Sequence, residues 1–520
     1  MTLIVQPPRS GSSAQRFAAV TAAAAAAVAA VACAAIGCGS PDDAPRAAPE
    51  PSGAAEPAPS PPPPSPPPPP PAPGMDLAGP IPLPEQGEPA ARAPSQVPAE
   101  LMADRALVRV DVPQPPRGGS VTFSFDGDRR GWVASLPEAQ QLPALAYGND
   151  RIYASGGFHS VTFYALHAAT GQLDWVTTNL EDRGPTSAIV LSDHVIFNTE
   201  SCTIFALDAR TGKRRWQRWL GDPTLSQVAA ADGLVFAAHP TADRSTHVLS
   251  ALRVTDGAPV WSGWIGSEVI AAPVIAGDSV YVSTLDGMTL RFERQGGKLR
   301  WSRPLQATTA PWIAGDELFV TRRRGAREQQ VVVALDTGKI VREHDVSSGA
   351  YAGVPDRDDK AAVWAFEGSR PVVERGARYV AMGAEIRATD ARTGAPLWIR
   401  RYPGSADRRA LGAVAVAGPA VVVAARDGKL FGLDADTGYT LWSYDLRVRV
   451  VAQPILAKGW LYASTADGRV IALNIADPTL DGWHMFGGDA QHNGLVAPPP
   501  PPAPREGPAP PAPALAPLAD

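Results

Sequence analysis

The sequence predicts an all-β protein whose main domain is an eight-bladed β-propeller flanked by disordered Pro-rich segments. Three observations indicate this fold. An eleven-residue pattern recurs through the middle of the chain, short β-type segments separated by Gly-containing turns surround its copies, and 39 of the 55 prolines fall outside residues 118–494. No stretch of the middle shows the 3.6-residue period of a helix. We therefore expect sheet in the centre and no packed fold at the Pro-rich ends.

The recurring pattern has the form A-x-D-x-x-T-G-x-x-x-W and occurs in six full copies. A shortened copy, ALDTG, adds a seventh turn glycine, and the interval between successive turn glycines averages 44.5 residues. With a degenerate last copy from Ala472, eight units fill 377 residues, which suits one four-stranded blade each. We predict a structural docking role, each indole packing over the glycine turn of a neighbouring blade, for Trp175, Trp216, Trp261, Trp301, Trp398 and Trp442.

Strands can be read within one unit. Residues 272–275 form a short inner strand, residues 280–283 are apolar and β-branched, and residues 289–292 follow a hairpin turn at Asp286-Gly287. Each such sheet exposes two faces that it cannot bury alone. Stacking the sheets into a closed ring buries those faces and leaves only short edges.

The first 37 residues resemble a bacterial signal peptide that ends at a lipoprotein cleavage site. Two arginines precede an Ala-rich stretch, no acidic residue occurs before Asp42, and small residues lead up to Cys38. We interpret Cys38 as the lipid-modified first residue of the mature chain, with Cys33 as a competing site. An ordinary cleaved signal and an uncleaved helix are the alternatives, and all of them export the domain.

The domain organisation follows from these features. We expect a signal peptide over residues 1–37, a lipid-anchored Pro/Ala-rich linker over 38–117, the propeller over 118–494 and a disordered Pro-rich tail over 495–520. Proline runs favour the extended polyproline II conformation, so the linker would hold the domain away from the membrane.

Charge and metal-ligand chemistry exclude several function classes. A net charge of −5 over 520 residues provides no basic surface for nucleic acid, which we do not expect as a partner. Three cysteines cannot form a disulfide scaffold or a four-cysteine zinc site. None of the eight histidines forms a close i, i+2 or i, i+4 pair. We therefore predict no metal, no cofactor and no catalytic residues.

The repeat resembles the tryptophan-docking motif of pyrroloquinoline-quinone (PQQ)-type propellers over nearly all of residues 118–494. The ending WHMFGGDAQHNG, residues 483–494, is similar to the W-P-M-F-G-G-D-x-Q-H-x-G segment of PQQ-like repeat proteins. By analogy with this fold, residues 121–125 would complete a terminal blade and close the ring. The family includes quinoprotein alcohol dehydrogenases and, as a non-enzymatic branch, the BamB lipoproteins of the outer-membrane β-barrel assembly machinery.

The resemblance implies a scaffold more than an enzyme. In the enzyme branch the quinone lies against a disulfide between adjacent cysteines, with a calcium ion held by Glu and Asn, and this chain has no Cys-Cys pair. If Cys38 carries lipid, Cys202 is the remaining thiol, which we interpret as buried and inert; covalent catalysis and intermolecular pairing are the alternatives. A quinoprotein dehydrogenase with a degenerate site and a small-molecule or carbohydrate sensor stay open.

The expected partners are envelope proteins, among them the outer-membrane assembly complex, and the membrane through the lipid anchor. The location implied is the outer membrane facing the periplasm, or the cell surface. Irregular loops carry function in repeat folds. The candidate partner-binding residues form a basic turn, with a solvated charged loop as the alternative reading, and are Arg322, Arg323, Arg324 and Arg327. A second departure from the repeat is the insertion at 354–360, for which we expect either a functional loop or only a long surface loop.

Overall fold

The computed structural model describes residues 99–101, 104–178, 180–221, 226–324, 327–347, 371–403, 410–450 and 452–494. The predicted signal peptide, Cys38, the insertion at 354–360 and the Pro-rich tail lie outside the described residues. The described ranges contain strands and turns and no helix, which confirms the all-β prediction. Within those ranges no helix has the length and apolar character needed to cross a membrane.

The strands form eight sheets of four or five strands, which are the eight blades. The N-terminal strands are β1 (Ala99–Glu100), β2 (Val108–Arg109), β3 (Ser120–Phe125) and β4 (Arg129–Ser135). Blade 1 contains β5 (Ala146–Gly148), β6 (Arg151–Ser155), β7 (Phe163–His167) and β8 (Leu173–Thr177). Blade 2 contains β9 (Ile189–Leu191), β10 (His194–Asn198), β11 (Thr203–Asp208) and β12 (Arg214–Trp219). Blade 3 contains β13 (Ala229–Ala231), β14 (Leu234–Pro240), β15 (His247–Arg253) and β16 (Pro259–Trp264). Blade 4 contains β17 (Val274–Ala276), β18 (Ser279–Ser283), β19 (Thr289–Glu293) and β20 (Leu299–Arg303).

The second half of the ring repeats this order. Blade 5 contains β21 (Trp312–Ala314), β22 (Glu317–Arg324), β23 (Arg327–Ala334) and β24 (Ile340–Ser347). Blade 6 contains β25 (Val372–Glu374), β26 (Ala377–Met382), β27 (Glu385–Asp390) and β28 (Pro396–Arg401). Blade 7 contains β29 (Ala415–Ala417), β30 (Ala420–Ala424), β31 (Lys429–Asp434) and β32 (Thr440–Asp445). Blade 8 contains β33 (Ile455–Ala457), β34 (Trp460–Ser464) and β35 (Arg469–Asn474).

Burial along a blade follows its distance from the axis. Every residue of β10 and β18, second strands of their blades, is buried, because neighbouring blades cover both faces of the sheet. The outer strands β12 and β20 each contain a single buried residue, the docking tryptophan, and their other residues are exposed or half-buried. Hydrophobic residues therefore run continuously along second strands, whereas the outer strands carry most of the charge.

The docking tryptophans pack on the turn of the next blade. The indole of Trp216 lies against Gly257, and its Nε1–H donates to the carbonyl oxygen of Val254 at 2.7 Å. Gly257 has φ +68° and a Cβ there would lie 2.6 Å from the indole, so the turn needs glycine for its conformation and for the close approach. The same contact joins Trp132 to Gly171, Trp175 to Gly212, Trp261 to Gly297, Trp301 to Gly338, and Trp398 to Gly438.

A β-bulge brings each indole into position. In blade 2, Ala206 pairs with Trp216 and Leu207 pairs with Arg214, so the intervening Arg215 is bulged. Equivalent register shifts occur between the third and fourth strands of the seven blades from 1 to 7. A bulge re-aims the side chain that follows it, which is the tryptophan of the repeat in blades 1 to 4, 6 and 7 and is Arg342 in blade 5.

Two blade junctions depart from the pattern. Between blades 5 and 6 the imidazole of His344 lies against Gly394. At the junction that follows blade 7, Trp442 is buried and stacked on Tyr444, with ring centroids 5.5 Å apart. The next turn has Pro478 where the other turns have glycine. The structure thus places five of the six predicted tryptophans on a glycine turn, and Trp442 against an aromatic ring of its own strand.

The ring closes through the N-terminal strands. β4 pairs antiparallel with β35, with Trp132 opposite Ala472, and so forms the fourth strand of blade 8. β3, which contains residues 121–125, pairs on the outside of β4 as a fifth strand. The opening stretch therefore belongs to the terminal blade, as the fold analogy implied, but the strand that joins the two ends is the one that follows it.

The chain before β3 is bound to the outside of two other blades. β1 pairs in parallel with β28 of blade 6, and β2 pairs in parallel with β32 of blade 7. Backbone N–H groups of Leu101 and Val110 donate to the carbonyl oxygens of Arg401 and Asp445, both at 2.9 Å. These strands fall in the segment predicted as linker up to residue 117. Its described part pairs with the propeller because the outer strands offer free hydrogen-bonding edges.

The docking geometry predicts the cost of losing one indole. We expect Trp216→Ala to lower the free energy of unfolding by about 3–5 kcal/mol, because the change leaves a cavity between two blades. The matched control is Trp219→Ala on the same strand, since Trp219 is 67% exposed and should contribute less than about 0.5 kcal/mol. Urea denaturation followed by tryptophan fluorescence and circular dichroism checks both. Equal effects of the two substitutions would contradict the docking role.

Candidate interaction surface

The C-terminal segment, Trp483–Gly494, crosses the centre of the ring. Inner strands have one free edge that faces the axis, and this segment supplies hydrogen-bond acceptors to it. Its acceptors are the carbonyls of His484, Ala490, Gln491 and Trp483, which receive the N–H groups of Tyr147, Ala230, Ile275 and Leu456 at 2.6–3.0 Å. Asn493 Oδ1 accepts from Ile313 at 2.8 Å. The segment that resembles the PQQ-repeat ending therefore ties together five blades.

The buried side chain of His492 connects this segment to blade 3 through hydrogen-bond contacts of both ring nitrogens. The ring is 1% exposed, and Nδ1 and Nε2 lie 2.6 Å and 2.7 Å from the carbonyl oxygens of Phe486 and Val228. Gln453 adds a second polar link, because its Nε2 donates to Val414 and its Oε1 accepts from Gly487. Buried backbone groups require such partners. His492 and Gln453 therefore have structural roles in holding this segment at the axis.

Two cavities, each of about 420 Å³, lie beside the end of the segment. Glu374, Arg375 and Gly494 line both of them. Trp312 lines the first and Trp483 the second, and the two rings are stacked 5.9 Å apart. The buried Nε1 of Trp483 has no hydrogen-bond partner among the described residues. Burial raises the pKa of the Glu374 carboxyl. The lining of the two cavities therefore combines two stacked indole rings with the ionisable side chains of Glu374 and Arg375.

The predicted basic turn is the tip of the long β22–β23 hairpin. Arg322 is mostly buried, and its guanidinium contacts Gln329 at 3.2 Å and Glu343 at 2.8 Å. Arg324 is exposed at the tip, where its backbone pairs with that of Arg327. The side chains of Arg323 and Arg327 lie outside the described residues. The hairpin thus separates a neutralised Arg322 from a solvent-facing Arg324.

The single cysteine of the described ranges is buried. Cys202 is 0% exposed, and burial raises the pKa of its thiol to about 12. Its S–H points to the carbonyl oxygen of Ala238 at 4.0 Å. A thiol that stays protonated is a poor nucleophile. Among the residues that the structure describes, no group of three His, Cys, Asp or Glu side chains is arranged to hold a metal ion.

The contacts of three tryptophans, Trp132, Trp312 and Trp483, were not predicted from the sequence. Trp132 docks on Gly171, 39 residues further along, and the other five pairs are separated by 36 to 41 residues, so spacing alone would have found it. Trp312 and Trp483 stack although they are 171 positions apart, and nothing local indicates that contact.

Comparisons with known proteins agree with this geometry. A family model described as outer membrane protein assembly factor BamB matches residues 117–344 and 382–502. BamB of Yersinia pestis is 27% identical over 287 residues, which cover 52% of this chain and 69% of that protein. BamB of Burkholderia pseudomallei is 23% identical over 288 residues, which cover 52% and 68%.

Solved structures share the fold. BamB from Moraxella catarrhalis superposes with a TM-score of 0.51 and 18% identity, covering 68% of this chain and all of that one. Quinohemoprotein alcohol dehydrogenase from Comamonas testosteroni gives a TM-score of 0.51 and 14% identity, covering 65% and 75%. At these identities the likeness concerns architecture, which scaffolds and enzymes share.

Docked tryptophans, eight blades and the segment across the axis define a PQQ-like β-propeller repeat protein. The family match extends over both halves of the ring. The chain belongs to the outer membrane protein assembly factor BamB family.

The buried imidazole predicts a second stability effect. We expect His492→Leu to lower the free energy of unfolding by about 1–3 kcal/mol for each buried carbonyl group that loses its partner. His167→Leu is the control, because His167 is exposed at the end of β7. Thermal and urea unfolding of the two variants checks this. Unchanged stability in His492→Leu would show that the ring does not hold the segment.

Proposed function

We propose that this protein is a non-enzymatic, lipid-anchored scaffold of the cell envelope that assists outer-membrane protein assembly by binding partner proteins. The observation that carries the proposal is the match of the assembly-factor family model to residues 117–344 and 382–502. The BamB proteins of Yersinia pestis and Burkholderia pseudomallei are similar to this chain over about half of its length. A propeller suits this role, because a rigid ring presents its loops and edges to partners at fixed positions.

The chemistry of the chain supports a scaffold over a dehydrogenase. The enzyme branch places its quinone against adjacent cysteines, and the sequence contains no such pair. Cys202 is buried with a raised pKa, which argues against nucleophilic catalysis at that thiol. The shared architecture with a quinohemoprotein dehydrogenase concerns the fold.

The anchor enters the proposal through the N-terminus. Residues 1–37 would be removed as a signal peptide and Cys38 would carry the lipid, so residues 38–98 connect the lipid to the propeller. β1 begins at Ala99 on the outer edge of blade 6. In this proposal the tether would therefore join the described chain at the outer edge of blade 6.

Arg324 is the best-placed of the predicted partner-binding arginines, because Arg322 is already paired with Glu343. An exposed guanidinium at the tip of a projecting hairpin can pair with an acidic surface. We propose that this hairpin contacts the assembly partner.

The anchor predicts a localisation result. We expect Cys38→Ala to move the protein from the membrane fraction to the soluble periplasmic fraction, because the lipid chains are its membrane attachment. Cys33→Ala is the matched control and should leave the protein in the membrane fraction. Cell fractionation with metabolic palmitate labelling checks both variants. Release by Cys33→Ala and retention by Cys38→Ala would assign the anchor to the competing site.

Partner binding is tested by crosslinking the full chain in its own cells, followed by mass spectrometry. We expect recovery of the outer-membrane β-barrel assembly protein, reduced about fivefold to tenfold by Arg324→Glu because charge reversal opposes an acidic partner. Arg392→Glu is the control, since Arg392 is also exposed but lies in a turn at the opposite ends of the strands. Failure of the unchanged protein to recover any assembly component would overturn the proposed function.

A further inference from the structure

The outer edges of the blades fall into two groups. In blades 6, 7 and 8 an N-terminal strand covers the fourth strand. Among the described residues, the fourth strands of blades 1 to 5, which are β8, β12, β16, β20 and β24, have no strand on their outer side. A free strand edge presents unpaired N–H and C=O groups and can accept another extended chain.

Blades 2 and 3 differ from the other free edges by carrying an exposed tryptophan. Trp219 ends β12 and Trp264 ends β16, and their side chains are 67% and 65% exposed. Each lies three positions after the docking tryptophan of its strand. Large exposed aromatic side chains at one site on neighbouring elements are typical of interaction surfaces.

The same register is already used for strand addition elsewhere in this chain. Arg401 in blade 6 and Asp445 in blade 7 also lie three positions after a docking tryptophan, and they pair with Glu100 of β1 and Arg109 of β2. Their carbonyl oxygens accept N–H groups from the added segment. Trp219 and Trp264 pair with their third strands in the corresponding register, so their backbone groups face outward in the same way.

Charge indicates what kind of segment fits. Arg400, two positions after Trp398, is 5% exposed and pairs at 3.2 Å with Asp104 of the added N-terminal segment. Arg218 occupies the same position in blade 2 and donates to the carbonyl oxygen of Gly257. Within the part of the chain that the structure describes, no carboxylate pairs with Arg218. A carboxylate supplied by an incoming segment would complete the arrangement seen in blade 6.

We propose that the outer edges of blades 2 and 3 bind an extended segment of a partner polypeptide by parallel strand addition. Trp219 and Trp264 pack on the side chains of this segment. Arg218 pairs with an acidic residue of the segment, about four positions after the residue that pairs with Trp219. The spacing is that of blade 6, where Glu100 pairs with Arg401 and Asp104, four positions later, pairs with Arg400. In the N-terminal segment of this chain, Glu100 and Arg109 are nine positions apart and pair with the neighbouring blades 6 and 7. The inference goes beyond the proposed function, because it holds whichever envelope protein supplies the segment.

Site-specific photocrosslinking in cells tests this with the full anchored chain. Benzoylphenylalanine replaces Trp219 or Trp264, and the control position is Leu299, which is 47% exposed on the fourth strand of blade 4. We expect both edge positions to crosslink to one partner segment with at least fivefold higher yield than Leu299. The mapped peptide should carry Asp or Glu within five residues after the attachment point.

Charge variants supply the second arm. Arg218→Glu should lower the crosslink from position 219 at least fivefold, whereas Arg218→Lys should retain most of it, with equal melting temperatures for both. Equal yields at 219, 264 and 299, crosslinks only to lipid or to a second copy of this chain, or an equal yield from Arg218→Glu would each overturn the inference.

The two proposals fail separately. A crosslinked partner from outside the assembly machinery, together with no recovery of an assembly component by the full chain, would support the edge site and overturn the assembly role. Recovery of the assembly protein that depends on Arg324, with no crosslink from positions 219 and 264, would support the assembly role and overturn the edge site.

Discussion

The ring depends on one contact, the docking of an indole on the glycine turn of the next blade. A Cβ at these turn glycines would lie 2.3 to 2.7 Å from the indole, and each indole N–H donates to a carbonyl oxygen of the same turn at 2.7–3.1 Å. The contact therefore fixes both the distance and the orientation of neighbouring sheets. A lone four-stranded sheet leaves two apolar faces in water, so each blade is stable only beside its neighbours.

Closure adds contacts of a different kind. β4 pairs with β35, which joins Trp132 to Ala472 across 340 positions of sequence, and Trp483–Gly494 bonds to five inner strands at the axis. The β4–β35 pairing closes the ring within blade 8, and the C-terminal segment links the inner strands across the axis. Together they leave the hairpin tips and the outer edges of blades 1 to 5 uncovered by other described strands, and the proposed partner sites lie there.

Local signals were sufficient for most of the blade prediction. The strands around residues 272–292 and the indole-to-glycine contacts of Trp175, Trp216, Trp261, Trp301 and Trp398 follow from turn chemistry and a fixed spacing. The contact of His344 with Gly394, the stacking of Trp312 on Trp483 and the pairing of residues 99–109 with blades 6 and 7 have no local signature. They join segments that become neighbours only once the ring has formed.

The sequence by itself determined the all-β class, the number of blades and the indole-to-glycine contact at five of the junctions, because glycine turns, strand alternation and a period near 45 residues act over short distances. The tertiary structure alone decided that Arg322 is paired and Arg324 free to face solvent, that His492 is enclosed, and that Trp219 and Trp264 are exposed. Exposure and charge pairing depend on which distant segments cover a side chain, and only the closed ring sets that.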